Sequence, residues 1–201
     1  MKTVLLVIIA STLMFAHQLS AQELKVGVKG GLNVANFGGD FSDVKARAGF
    51  HLGGYGNLEF IERLNFQAEL LYSLQGVKIK DEDIRSNLSY INLPLLAEIK
   101  LPEVTEGFSF FTGPQFGFLL SARQKGTFAG RDVDLDIKDD LKGMDLSWIF
   151  GAGYEMDSGL NFGIRYNIGL NDINDQTDED ANAKANNLVL QIWVGYLLWR
   201  Q

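Results

Sequence analysis

The sequence predicts an all-β protein, an eight-stranded antiparallel up-and-down transmembrane β-barrel preceded by a signal peptide, and three observations carry that prediction. In Leu160-Asn-Phe-Gly-Ile-Arg-Tyr-Asn-Ile-Gly-Leu-Asn171, Leu160, Phe162, Ile164, Tyr166, Ile168 and Leu170 are apolar and every residue between them is polar or glycine. Strict period-two alternation is a strand with one apolar and one polar face. At about 3.3 Å per residue it spans roughly 40 Å, long enough to cross a tilted bilayer. The same alternation recurs in seven further stretches. Finally, the segments joining these stretches are alternately long and short.

In chain order, the first strand, 24–36, sets Leu24, Val26, Val28, Leu32 and Val34 against Lys25, Lys29 and Asn33. The second, 48–60, sets Phe50, Leu52, Leu58 and Phe60 against His51, Tyr55, Asn57 and Glu59. In the third, 64–77, Leu64, Phe66, Ala68, Leu70, Tyr72 and Leu74 oppose Asn65, Gln67, Glu69, Ser73 and Gln75. The fourth, 87–101, places Ile91, Leu93, Leu95, Ala97 and Ile99 opposite Tyr90, Asn92, Glu98 and Lys100, and the fifth, 107–121, places Phe108, Phe110, Phe116, Phe118 and Leu120 opposite Ser109, Gln115, Gly117 and Ser121. Pro94 and Pro114 interrupt these two; a closed barrel has no edge to hold a proline, so bulges are expected there. The sixth strand, 144–156, sets Leu146, Trp148, Phe150, Ala152 and Tyr154 against Ser147, Gly151, Gly153 and Glu155; the seventh is 160–171. The eighth, 187–199, sets Leu188, Leu190, Ile192, Val194, Tyr196 and Leu198 against Asn187, Gln191 and Gly195, with Trp193 and Trp199 breaking the polar parity.

Connections 37–47, 78–86, 122–143 and 172–186 are long, while 61–63, 102–106 and 157–158 are short. Eight antiparallel strands with both termini on one side put every long connection on the other, the asymmetry of bacterial outer-membrane barrels. Residues 1–21, with Lys2, the thirteen-residue run Val4–Ala16 and Ala21 before the cut, read as the signal peptide, leaving 22–201 as the barrel domain. The chain has no cysteine, which excludes an N-terminal lipid anchor and disulfides. Without Lys2, seventeen basic residues face twenty-five acidic ones, a net charge of −8 that argues against nucleic acid.

Alternation alone does not say which face points inward, and a soluble lipocalin-like barrel has the same period. Glycines crowd the polar parity (Gly27, Gly31, Gly151, Gly153, Gly163, Gly195), suiting a narrow lumen, and Phe60, Phe108 and Tyr196 lie toward strand ends, where interfacial girdles sit. Together with the strand lengths they favour the apolar face outward.

Gly27-Val-Lys-Gly-Gly-Leu-Asn33, Gly49-Phe-His-Leu-Gly53, Glu69-Leu-Leu-Tyr-Ser-Leu-Gln-Gly76, Tyr90-Ile-Asn-Leu-Pro-Leu-Leu96, Gly113-Pro-Gln115, Gly151-Ala-Gly-Tyr-Glu155 and Arg165-Tyr-Asn-Ile-Gly-Leu170 occur in an order and spacing that resemble the PorT-like outer-membrane β-barrel family. The resemblance covers nearly all of 22–201. It implies an eight-stranded barrel in the outer membrane of a Gram-negative bacterium of the Bacteroidota type, with both termini periplasmic. The family's namesake is associated with protein secretion across that membrane; the shared motifs fall on strands and speak for architecture rather than a site.

A lumen polar network of Lys29, His51, Glu69, Glu98, Glu155 and Arg165 is expected, its charges paired because an isolated buried charge is costly. Lys25, Glu59 and Lys100 share that parity. An eight-stranded interior is just wide enough for its own side chains, so a nutrient pore is disfavoured. His51, the only histidine outside the signal peptide, has no serine or carboxylate at a recognisable catalytic spacing. The acidic segments Asp132–Asp136 and Asp172–Asp180 lack the spacing and glycine of a calcium loop. The expectation is a non-enzymatic envelope protein without cofactor or metal, whose partners are outer-membrane lipid and another envelope or secretion-system protein. A ligand- or ion-binding barrel or channel with a charged lumen is the alternative, and a lipid-modifying enzyme centred on His51 the weaker one.

Overall fold

The computed structural model describes residues 23–39, 44–79, 83–102, 104–128, 131–175 and 185–201; the signal peptide lies outside them. Nine strands follow in order: β1 (Leu24–Gly39), β2 (Val44–Ile61), β3 (Leu64–Ile79), β4 (Asp83–Lys100), β5 (Phe108–Phe128), β6 (Arg131–Asp136), β7 (Met144–Glu155), β8 (Leu160–Gly169) and β9 (Ala185–Arg200). Eight of them close a ring in which every neighbour is antiparallel: β1 pairs with β2 and β9, and β4 pairs with β5 to seal the sheet. The ninth, β6, pairs with β5 alone, from Arg123↔Asp136 to Phe128↔Arg131. Closure gives every strand of the ring two neighbours, which satisfies the backbone where no water can. Leu24 and Gln201 exchange backbone hydrogen bonds, so both ends of the described chain lie beside the short turns.

The alternation maps onto the wall as expected, with the apolar parity outward. Leu32 is 67% exposed, Leu52 62% and Leu70 60%, whereas Asn33, Ser73 and Gln191 are fully buried. Burial of polar residues beside exposure of apolar ones is the inverse of a soluble core and sets the membrane reading above the lipocalin-like one.

Three expectations are corrected. The register runs unbroken through Pro94 and Pro114, without bulges. The ladder instead drops pairs around them, between Ala68↔Leu95 and Leu71↔Asn92 toward β3 and between Pro94↔Gln115 and Ala97↔Thr112 toward β5. An antiparallel ladder loses a bond where the N–H is missing without inserting a residue. The register shifts fall at Val26/Gly27, Ala46/His51, Glu59/Ile61 and Ser89/Tyr90.

The long connections, secondly, are largely strand. Pairing continues to Gly39 in β1, resumes at Val44, and runs to Ile79 in β3 and from Asp83 in β4. Segment 122–143 is the end of β5, the strand β6 and a single 3-10 turn at Lys138–Asp140. Outside the bilayer both faces of a strand are wet, so the apolar period fades while the backbone ladder continues. Seventh-strand pairing, thirdly, ends at Gly169 rather than 171.

The lumen is also less polar than its parity suggests. Leu96, Phe111, Ile149 and Trp193 form one buried apolar cluster, and Leu88, Tyr90, Leu119 and Ala122 form another. Three inward aromatics stand directly across the ladder from a glycine: Tyr55 from Gly27, Phe111 from Gly151 and Trp193 from Gly163. A Cβ at Gly163 would lie 2.5 Å from Trp193 Cζ2 and 2.5 Å from the Ala152 carbonyl oxygen. The glycines on the polar parity thus make room for rings that a narrow barrel could not otherwise fold inward.

Candidate functional site

Halfway along the lumen, Glu69 on β3 is the hub. One carboxylate oxygen accepts hydrogen bonds from Lys29 Nζ at 2.7 Å and Gln67 Nε2 at 2.6 Å, and the other from Arg165 Nη1 at 2.7 Å. All three charged side chains are at most 2% exposed. Lys29 Nζ also lies 4.3 Å from the Trp193 ring centroid and 5.0 Å from that of Tyr55, so its charge is held by a carboxylate and two π faces. Arg165 Nε donates to Gln191 Oε1, whose amide donates in turn to Asn33 Oδ1 at 2.7 Å. His51 Nδ1 donates to the same Asn33 oxygen at 2.7 Å, and Asn33 Nδ2 donates to Ser73 Oγ at 3.0 Å.

Toward the short turns the chain of bonds continues. Asn57 Nδ2 donates to Gln67 Oε1 at 3.2 Å and to Glu98 Oε2 at 2.6 Å. Lys29, His51, Glu69, Glu98 and Arg165 therefore lie in one connected network. Glu155 stands outside it, taking Lys25 Nζ at 2.6 Å and Arg200 Nη2 at 3.2 Å at the barrel mouth. Lys100 pairs there with Glu59 at 2.9 Å.

Both the middle and the long-loop end are filled. Ile137 and Leu141, from the segment between β6 and β7, pack on the cluster of Leu88, Tyr90, Leu119 and Ala122. Leu141 bridges to Asn174, and the fully buried Ile173 binds the backbone of Lys142 and Ala185. The short-turn end is hollow instead. A cavity of about 290 Å³ there is lined by Lys25, Asn65, Glu98, Lys100, Glu155 and Arg200, and an inner recess of about 30 Å³ reaches Lys29, Tyr55 and Trp193.

His51 bonds to Asn33 and its Nε2 is buried without a partner; Ser73, directly across the ladder, is bound by the same Asn33 amide, and among the described residues no hydroxyl or carboxylate is hydrogen-bonded to His51. The acidic segment Asp132–Asp136 is β6 itself, with Asp134 paired to Lys125 at 3.1 Å. Asp172 accepts from the backbone of Asn174 and Ala185, while 176–180 lie outside the described residues. Among the described residues no three His, Cys, Asp or Glu side chains gather as metal ligands.

Sequence reading missed the filling of the lumen: Leu71, Leu96, Phe111 and Ile149 sit on the inward parity and were overlooked beside the charges. Their signal was the apolar residue next to a glycine's cross-strand position, visible only once the register is known. Trp193 lies in the lumen over Lys29, whereas Trp199 is exposed near the end of β9.

The model of the outer membrane protein beta-barrel domain family matches residues 17–175. The chain belongs to that family. It is thus a barrel of the Gram-negative outer membrane. Among solved structures it is similar to Neisserial surface protein A, at 14% identity and a TM-score of 0.50 over 85% of this chain and 96% of that one. It is similar also to Ail, the attachment invasion locus protein of Yersinia pestis, at 13% identity and a TM-score of 0.51 over 87% and 98%. At these identities the likeness is one of fold. No curated protein matches the chain.

Proposed function

We propose that this barrel is a non-conducting, non-enzymatic envelope protein that works by holding another envelope protein at its long-loop end, with both termini periplasmic and that end outside the cell. The observation carrying the proposal is the free edge of β6. Above Phe118, where β7 leaves β5 at Met144, β6 takes over its side of β5 while β4 stays paired on the other side up to Asp83↔Thr127. The sheet therefore stands above the ring as a ribbon, and among the described residues the outer edge of β6 has no strand beside it. Unpaired N–H and C=O groups on such an edge invite an added strand from a partner. Asp132 and Leu135 are exposed on it while Asp134 is taken by Lys125, so the partner segment is extended, with an apolar side chain to meet Leu135. The resemblance to the PorT-like family favours a component of protein secretion as that partner.

Packing along the lumen supports the absence of conduction, and the absence of catalysis is supported by His51 bonding to the Asn33 amide rather than to the hydroxyl of its cross-strand neighbour Ser73. In-cell cross-linking in the native host, from a photoreactive residue at Thr127, exposed on β5 beside β6 and outside the segment to be replaced, tests the reading. A partner protein captured by the intact chain and lost when 129–137 are replaced by a short Gly-Ser turn is the expected result, with the unboiled gel mobility unchanged. Capture that survives this replacement, or discrete single-channel currents in planar bilayers, overturns it.

A further inference from the structure

We propose that the hollow short-turn end of the barrel binds one ammonium or guanidinium group, with Glu98 as its counter-ion and Asn65 as a second acceptor. The charges of this vestibule are unequally matched. Lys25 and Arg200 are committed to Glu155, with Arg200 also on Glu23 at 2.8 Å, and Lys100 is committed to Glu59. Glu98 has no cation within ion-pair distance among the described residues. Its carboxylate is held by neutral donors alone: Asn57 Nδ2 at 2.6 Å, Asn65 Nδ2 at 3.1 Å and Ser109 Oγ at 2.7 Å.

A carboxylate offers about four acceptor positions, and three are filled. Since Asn65 points its amide nitrogen at Glu98, its Oδ1 is the free end; that oxygen is buried without a partner, in a residue only 2% exposed. One vacant position on a charged oxygen beside one wholly vacant amide oxygen asks for a positively charged group with several N–H donors. The lining cations Lys25, Lys100 and Arg200 are each paired with a carboxylate, so an added anion would compete with Glu155 and Glu59 for them, whereas a cation meets Glu98 without a rival; a divalent metal needs several oxygens converging on one point, and among the described residues no cluster of three acidic or histidine ligands stands there.

The vestibule volume lies at the lower end of ligand sites, which fits a small organic cation or the tip of a basic side chain. Depth is limited by Lys29, whose own charge at the inner recess repels a second cation, so the group stays at the level of Glu98. The site opens at the end opposite to β6, and it stands or falls independently of the partner proposed there.

Isothermal titration of the full mature barrel, folded in detergent, with methylguanidinium against its neutral isostere N-methylurea tests the proposal without any variant. Saturable binding of methylguanidinium and none of N-methylurea is expected. Glu98→Gln, checked for folding by its unboiled gel mobility, should weaken binding about tenfold or more, the effect of losing a charge-assisted hydrogen bond. Titration with Gly-Arg-Gly separates the sources: binding as tight as that of the free cation points to a basic side chain of a periplasmic protein, and its exclusion to a free small molecule. Absence of saturable binding, equal binding of N-methylurea, or a folded Glu98→Gln barrel that binds unchanged overturns the proposal.

Discussion

Glu69→Ala is the substitution to which the barrel should be most sensitive. Glu69 accepts from Lys29 and Arg165 at 2.7 Å each, and the carboxylate side chain and the Arg165 side chain are both 0% exposed. Its removal leaves two cations, each at most 2% exposed, facing each other. Breaking one buried pair costs about 3–5 kcal/mol, and here two lose their partner at once, so about 5 kcal/mol is expected. Lys29→Met should cost less, because Glu69 keeps Arg165 and Gln67. The triple change Lys29→Met, Glu69→Leu, Arg165→Met removes every charge together and should fall near wild type, since replacing a whole buried ionic cluster by apolar side chains is often neutral or stabilising. Urea-induced unfolding in lipid vesicles, followed by tryptophan fluorescence and by unboiled gel mobility, gives the four stabilities. A loss below about 1 kcal/mol for Glu69→Ala, the size of a solvent-exposed pair, would mean a wet lumen and would refute the reasoning.

Two further outcomes test the wall. Ile164 is an outward residue in the middle of β8, 47% exposed to lipid, so Ile164→Arg should destabilise by about 2–4 kcal/mol, whereas Leu198→Arg near the end of β9 should cost about 0–1 kcal/mol; equal costs in the same vesicle assay would misplace the membrane belt. Gly163→Val should cost about 1–3 kcal/mol and displace the Trp193 ring, because its Cβ overlaps both that ring and the Ala152 carbonyl; unchanged stability with an unshifted tryptophan emission maximum would remove the ring from that position.

The parity of each strand was legible because it is a property of neighbours in sequence. Leu160 to Leu170 alternate, the wall alternates with them, and the apolar side faces lipid. Strand ends were less legible: Lys45–Arg47 and Arg123–Thr127 carry no apolar period, since neither face has to meet lipid there, while the backbone ladder still holds them in the sheet. The bulges expected at Pro94 and Pro114 failed for a related reason, since a local rule about proline says nothing of whether the ladder can forgo a pair there.

Composition and periodicity by themselves determined eight alternating strands and favoured the apolar face outward; for such a chain in a bilayer, hydrogen-bond satisfaction then requires a closed barrel, and the exposure of Leu32, Leu52 and Leu70 beside buried Asn33, Ser73 and Gln191 decided against the inverted, soluble barrel. Which charges meet was decided by the tertiary structure alone. Lys29, Glu69 and Arg165, up to 136 residues apart, meet, and among the described residues Glu98 meets no cation, because the register and tilt of eight strands bring particular inward positions to the same height. The same register set Tyr55, Phe111 and Trp193 opposite glycines, and it left β6 with an open edge because β8, the next strand on that side, ends at Gly169.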